Sequence, residues 1–67
     1  MAIDADPFEG LLTIPDVAAI LKVSAATVRR LQQQRKIPFV KVGGSVRFER
    51  SDLASYVELR RVRAIAQ

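Results

Sequence analysis

The 67-residue chain contains no cysteine, no histidine and no tryptophan. Without cysteine there is no disulfide framework and no thiolate nucleophile, and without a His/Cys cluster there are no ligands for a structural zinc ion. Neither a metal nor a cofactor is therefore expected. A histidine base and a cysteine nucleophile are equally excluded, while Ser24 and Ser51 read as helix caps, Ser45 as a hairpin position and Ser55 as a helix-surface residue. Asp16 and Asp52 fall in helix first turns, where the dipole already accounts for a carboxylate. The chain is not expected to be an enzyme. Glycine is scarce too: Gly43-Gly44 has no further spaced glycines with it, so it is no phosphate-binding fingerprint. No apolar run approaches the ~20 residues that span a bilayer, and Asp4, Asp6 and Glu9 stand where a secretory signal would carry bases. The expectation is a cytoplasmic protein with no membrane partner.

One absence is local, and it organises the rest. From Lys22 to Phe48 there is no acidic residue, while Lys22, Arg29, Arg30, Arg35, Lys36, Lys41 and Arg47 supply seven bases. Residues 1–20 invert this, with four acids and no base, and residues 49–67 mix four bases with three acids. The net charge is +4 with a pI near 10.4. Such segregation gives the electrostatic field a direction and points to a polyanionic partner.

Residues 1–10 show no helical or alternating period, and residues 1–12 read as a flexible N-terminal arm from which Phe8, or Leu11 and Leu12 after it, docks on a thin core. Thr13 and Asp16 have capping-box spacing, and Pro15 suits a first turn, so a helix is predicted from Ile14 to about Lys22. Val17, Ala18, Ile20 and Leu21 form its apolar stripe. Lys22-Val23 makes a turn with Val23 as the inward plug, and Ser24 caps a second helix running from Ala25 to about Arg35. At 100° per residue this helix buries Val28 and Leu31 and turns Ala26, Arg29, Arg30 and Gln33 outward, with Thr27 on the flank.

Ile37-Pro38 should end that helix, because the residue before proline is driven towards extended backbone. A hairpin follows, turning at Gly43-Gly44. Its alternation predicts Val40, Val42, Val46 and Phe48 inward and Lys41, Ser45 and Arg47 outward. Ser51 then caps a last helix with Leu53, Tyr56 and Val57 on its inner face, and residues 59–67 extend it. The fold class predicted is mainly α with a small β-hairpin, a winged helix-turn-helix over residues 13–58.

In a helix-turn-helix the second helix lies in the major groove. Arg29 and Arg30 can pair bidentately with guanine or phosphate, Gln33 can read adenine, and Thr27 can meet a thymine methyl or a phosphate. Ser24 and the free N–H groups behind it suit a phosphate. Lys41 and Arg47 would reach the adjacent backbone or minor groove from the wing. Double-stranded DNA is the expected partner.

The run Leu12-Thr13-Ile14-Pro15-Asp16-Val17-Ala18, with Val23-Ser24, Thr27-Val28, Ile37-Pro38, Lys41-Val42-Gly43, Arg47-Phe48 and Ser51-Asp52-Leu53, resembles the excisionase-type winged helix-turn-helix domain, a small relative of the MerR-type DNA-binding head. The resemblance covers about residues 11–58. It implies a recombination directionality factor that binds repeated sites cooperatively, bends DNA and steers an integrase towards excision. It also implies phosphate contacts near Ser24, Thr27 and Arg30 and wing contacts at Lys41 and Arg47. A small transcriptional regulator on the same fold, and a protein-interaction module docking on an integrase, are the alternatives. Head-to-tail self-association on DNA is expected through the arm, the wing or the stripe from Leu59 to Ala66.

Overall fold

The computed structural model describes residues 10–65, in the order β1 (Leu11–Leu12), α1 (Ile14–Leu21), α2 (Ala25–Gln33), β2 (Val40–Val42), β3 (Ser45–Glu49) and α3 (Arg50–Leu59). The start of α1 is fixed by a reciprocal cap. Asp16 N–H donates to Thr13 Oγ1 at 3.2 Å, and Thr13 N–H donates to Asp16 Oδ2 at 3.0 Å. Aspartate thus closes a capping box that more often uses glutamate. At the other end Lys22 takes a left-handed conformation, φ 57°, and Val23 N–H reaches back to Ala18 O at 3.0 Å.

Helix α2 closes in the same way, and earlier than its sequence suggests. Arg35, expected inside the helix, is left-handed at φ 57°, with Arg35 N–H on Gln32 O at 3.0 Å and Lys36 N–H on Leu31 O at 2.9 Å. These two bonds form a Schellman closure. The helix therefore ends by hydrogen bonding before Pro38 can act. The reversal also swings Ile37 into the core, where it is 1% exposed. Both left-handed positions hold a cation where glycine would be easier, and a cation at a helix C-terminus is favoured by the dipole.

The strands form an antiparallel sheet in the order β1-β3-β2. Leu11 pairs with Glu49 and Leu12 with Phe48. Leu12 is 5% exposed, so Leu11 and Leu12 belong to the folded domain and not to an arm; residues 1–9 of the predicted arm lie outside the described residues. In the hairpin Val40 pairs with Arg47, Lys41 with Val46 and Val42 with Ser45. Directly paired residues share a face, which overturns the predicted single inward row. Lys41, Val46 and Phe48 lie on the helix side, while Val40, Val42, Ser45 and Arg47 lie on the other. Each strand alternates as expected, but the turn joins them out of phase, and Val42 is 53% exposed.

Strand β3 runs straight into α3, with Glu49 as both last strand residue and N-cap. No side chain caps this helix, so Ser51 is not the cap its sequence suggests. Arg50 N–H instead donates to Gly10 O at 3.2 Å, a backbone bond supplied by the residue before β1. The helix stops at Leu59, and residues 61–65 are not helical, so the predicted extension does not form there.

Leu12, Val17, Ala18, Val28, Ile37, Phe48 and Leu53 make the core, and no polar side chain is buried among the described residues. Leu31, Phe39, Val46 and Tyr56 pack around it. Ile20, Val23 and Val57, expected inside, are 48%, 41% and 41% exposed. Leu12 and Ile37, from the segments that flank the helix pair, complete the core, and those three stay at the surface. Three helices with this three-stranded sheet make a winged helix-turn-helix.

Candidate nucleic-acid interface

Position on α2 is set by Val28, which is fully buried and locks the helix's rotation. With that residue inward, Ala26, Arg29, Arg30 and Gln33 are all exposed, as the 3.6-residue period predicts, and Thr27 is half-buried on the flank. The first turn of α2 holds no acid. Its open N–H groups and the helix dipole make this end attractive to an anion.

Ser24 begins the helix as expected, with Thr27 N–H donating to Ser24 Oγ at 3.1 Å. The two hydroxyls also lie 2.9 Å apart, within one hydrogen bond. One hydroxyl proton is spent between them, which leaves the pair a single outward O–H donor. Ser24 and Thr27 therefore act as one unit, which their separate assignment in sequence does not reveal.

Among the described residues the one ion pair is Arg61 with Glu58, at 3.0 Å. Arg29, Arg30 and Lys41 are exposed and pair with no carboxylate among the described residues. An exposed guanidinium without a partner keeps its full set of donors for an external acceptor.

The wing departs from expectation at Arg47. Its Nη1 donates to the Val46 carbonyl at 2.8 Å and the residue is half-buried, so this cation is tethered to the sheet and not held out as a free tip. It also lies on the opposite sheet face from Lys41. The hairpin therefore presents charge on both faces beside its turn. Gly43 turns the chain with φ 63°, which removes any side chain from the tip.

Arg47 has a further effect through space. Hydrogen bonds from the Thr13 backbone, then the Thr13 side chain, hold the Asp16 carboxyl below its ordinary value, and the positive charges of Arg50 and Arg47 add to this. Arg50, absent from the sequence-based site, is thus placed near the start of α1 together with Arg47. The signal available in sequence was only its position directly after a strand.

A family of helix-turn-helix domains matches residues 11–61 of the chain. The chain belongs to this helix-turn-helix domain family. The family includes excisionase-like DNA-binding domains, and membership makes this helix-turn-helix chain a DNA-binding domain. No curated protein and no solved structure matches the chain. In this helix-turn-helix domain α1 and α2 form the pair, the turn runs through Lys22 and Val23, and the β2–β3 hairpin is the wing. No helix among the described residues is long and apolar enough to cross a membrane.

Proposed function

We propose that this helix-turn-helix domain is an excisionase: an accessory factor, without catalysis of its own, that binds repeated DNA sites cooperatively, bends the duplex and directs an integrase towards excision. The observation that carries the DNA contact is the exposed row Arg29, Arg30 and Gln33 on α2, free of any acid in that helix and followed in the chain by a glycine-tipped hairpin. In this reading α2 enters the major groove, and Arg29, Arg30 and Gln33 meet base edges or phosphates. The Ser24–Thr27 unit donates to a phosphate at the helix start, and Lys41 with Arg47 straddles the neighbouring backbone.

Size supports cooperativity, since a single module of this kind covers only ~600–1,000 Å² of its surface on DNA. Neighbours on adjacent sites add the affinity that one copy lacks. Each copy that grips successive grooves with helix and wing then curves the duplex. The test is a footprint of the purified protein on genomic fragments from its source, together with the bend angle of the bound fragments. Tandem protected sites with curvature beside an attachment site are expected. One compact, unbent site at a promoter would make the domain a transcriptional regulator instead.

A further inference from the structure

A second basic surface lies away from the Arg29–Arg30 row. Between the loop after α2 and the outer side of α3 is a cleft of about 350 Å³, lined in part by Arg35, Lys36, Pro38, Tyr56, Leu59 and Arg60. The Arg60 guanidinium lies over the Tyr56 ring, 3.9 Å from its centroid, and Nη2 donates to the Lys36 carbonyl at 3.5 Å. Stacking and this bond hold the cation beside the cleft. Asp52 also borders the cleft but forms no ion pair with any of the three cations. Three cations against one carboxylate leave the cleft with an excess of positive charge.

Apolar groups border it as well: Pro38, Tyr56 and Leu59, the last 81% exposed. A bare phosphate would use the cations and leave those apolar groups wet. An acidic peptide with a large apolar side chain uses both, and the chain carries one: Ile3-Asp4-Ala5-Asp6-Pro7-Phe8-Glu9 has three acids, no base and two large apolar residues. We infer that this acidic segment of one copy docks in the Arg35–Lys36–Arg60 cleft of the next copy.

Docking on a neighbour is the form of this contact that links copies. Gly10 is hydrogen-bonded to Arg50, on the side of α3 that holds Leu53 and Val57, whereas Asp52, Ser55, Tyr56 and Leu59 border the cleft from another side of that helix. The acidic segment of one copy in the cleft of the next is a heterologous contact that does not close. The inference thus rests on the cooperative reading above and names the contact that produces it.

Two measurements on the full chain test this. First, a synthetic peptide of residues 1–10 is titrated into the protein while tyrosine fluorescence is read; Tyr56 is the chain's one tyrosine and tryptophan is absent, so the signal has one source. A saturable change is expected, weakened at least fivefold when Asp4, Asp6 and Glu9 of the peptide are replaced by Asn, Asn and Gln, and lost in Arg60→Ala. Second, binding to one-site and two-site duplexes is compared. The Asp4→Asn/Asp6→Asn/Glu9→Gln protein should bind one site as well as or better than the parent and lose most of the two-site cooperativity. A silent peptide titration, or undiminished cooperativity in the neutralised protein, overturns the inference. So does a silent peptide combined with weakened one-site binding in Arg60→Ala, which would assign the cleft to the DNA backbone. If the parent protein itself binds two sites independently, the cooperative reading fails, and the peptide titration still decides the contact.

Discussion

Ser24 Oγ and Thr27 Oγ1 lie 2.9 Å apart at the entrance to α2, with Thr27 N–H also donating to Ser24 Oγ at 3.1 Å. One serine oxygen therefore caps the helix and positions the threonine hydroxyl. Ser24→Ala should cost about 0.5–2 kcal/mol in folding, and in a domain of this size each 1 kcal/mol lowers Tm by about 4–8 °C. Ser24→Asp separates the two roles: the cap survives and so does Tm, while the new charge opposes phosphate and DNA affinity falls. Thermal melts paired with a DNA titration check this, and a Ser24→Asp protein with parental affinity would remove Ser24 from the interface.

Arg30→Ala removes an exposed cation that pairs with no carboxylate among the described residues. Stability should stay within about 0.5 kcal/mol of the parent. If Arg30 meets a phosphate, affinity falls for all sequences and the slope of log K against log salt becomes shallower by about 1. If it meets a base instead, the loss is about 1–3 kcal/mol and confined to one position of the site. A module that binds only protein would keep its activity in this variant, so the salt series distinguishes that alternative as well.

Gly43 and Gly44 should respond differently to the same change. Both have open space where a Cβ would stand, but only Gly43 has positive φ, at 63°. Gly43→Ala should therefore cost about 1 kcal/mol from backbone conformation alone, whereas Gly44→Ala should be near neutral. Urea denaturation of the two variants measures the contrast.

The Thr13–Asp16 box makes stability depend on pH at the acid end. Hydrogen bonding from Thr13 holds the Asp16 carboxyl below its ordinary value, so the folded state binds a proton less readily than the unfolded chain. The contribution is present in full above the unfolded pKa, about 3.9, and is lost as pH falls through the lower folded value. Asp16→Asn should flatten this part of the stability profile between neutral pH and pH 2, measured by denaturation at each pH.

Leu12→Ala tests whether the first strand belongs to the domain. Leu12 is 5% exposed and pairs with Phe48, so truncation should cost about 2–5 kcal/mol. A change at exposed Val62, 91% accessible, should leave the melt unaltered.

Local grammar was legible where it was self-contained. The Thr13–Asp16 box, the Ser24 cap and the outward row of α2 need only neighbouring residues and one helical period. Hairpin faces were not legible, because alternation within β2 and within β3 says nothing about their phase, which pairing of Val42 with Ser45 across the turn decides. Leu11–Leu12 is too short to display a period, and it is a strand only because β3 offers it an edge. Ser51 lost its capping role to a backbone bond from Gly10, forty residues before Arg50 in sequence. In the candidate site, Arg29, Arg30 and Gln33 could be placed from sequence. The tether of Arg47 and the stacking of Arg60 on Tyr56 could not, since both depend on where separate elements meet.

Glu49 ends β3 and begins α3 in the same residue, so no hinge separates hairpin from helix. Phe48 and Leu53, buried on either side of that elbow, fix it in the core. Under the excisionase reading proposed above, a curved duplex that tilted the wing would turn α3 with it and shift the Arg60 side of the cleft offered to the next copy.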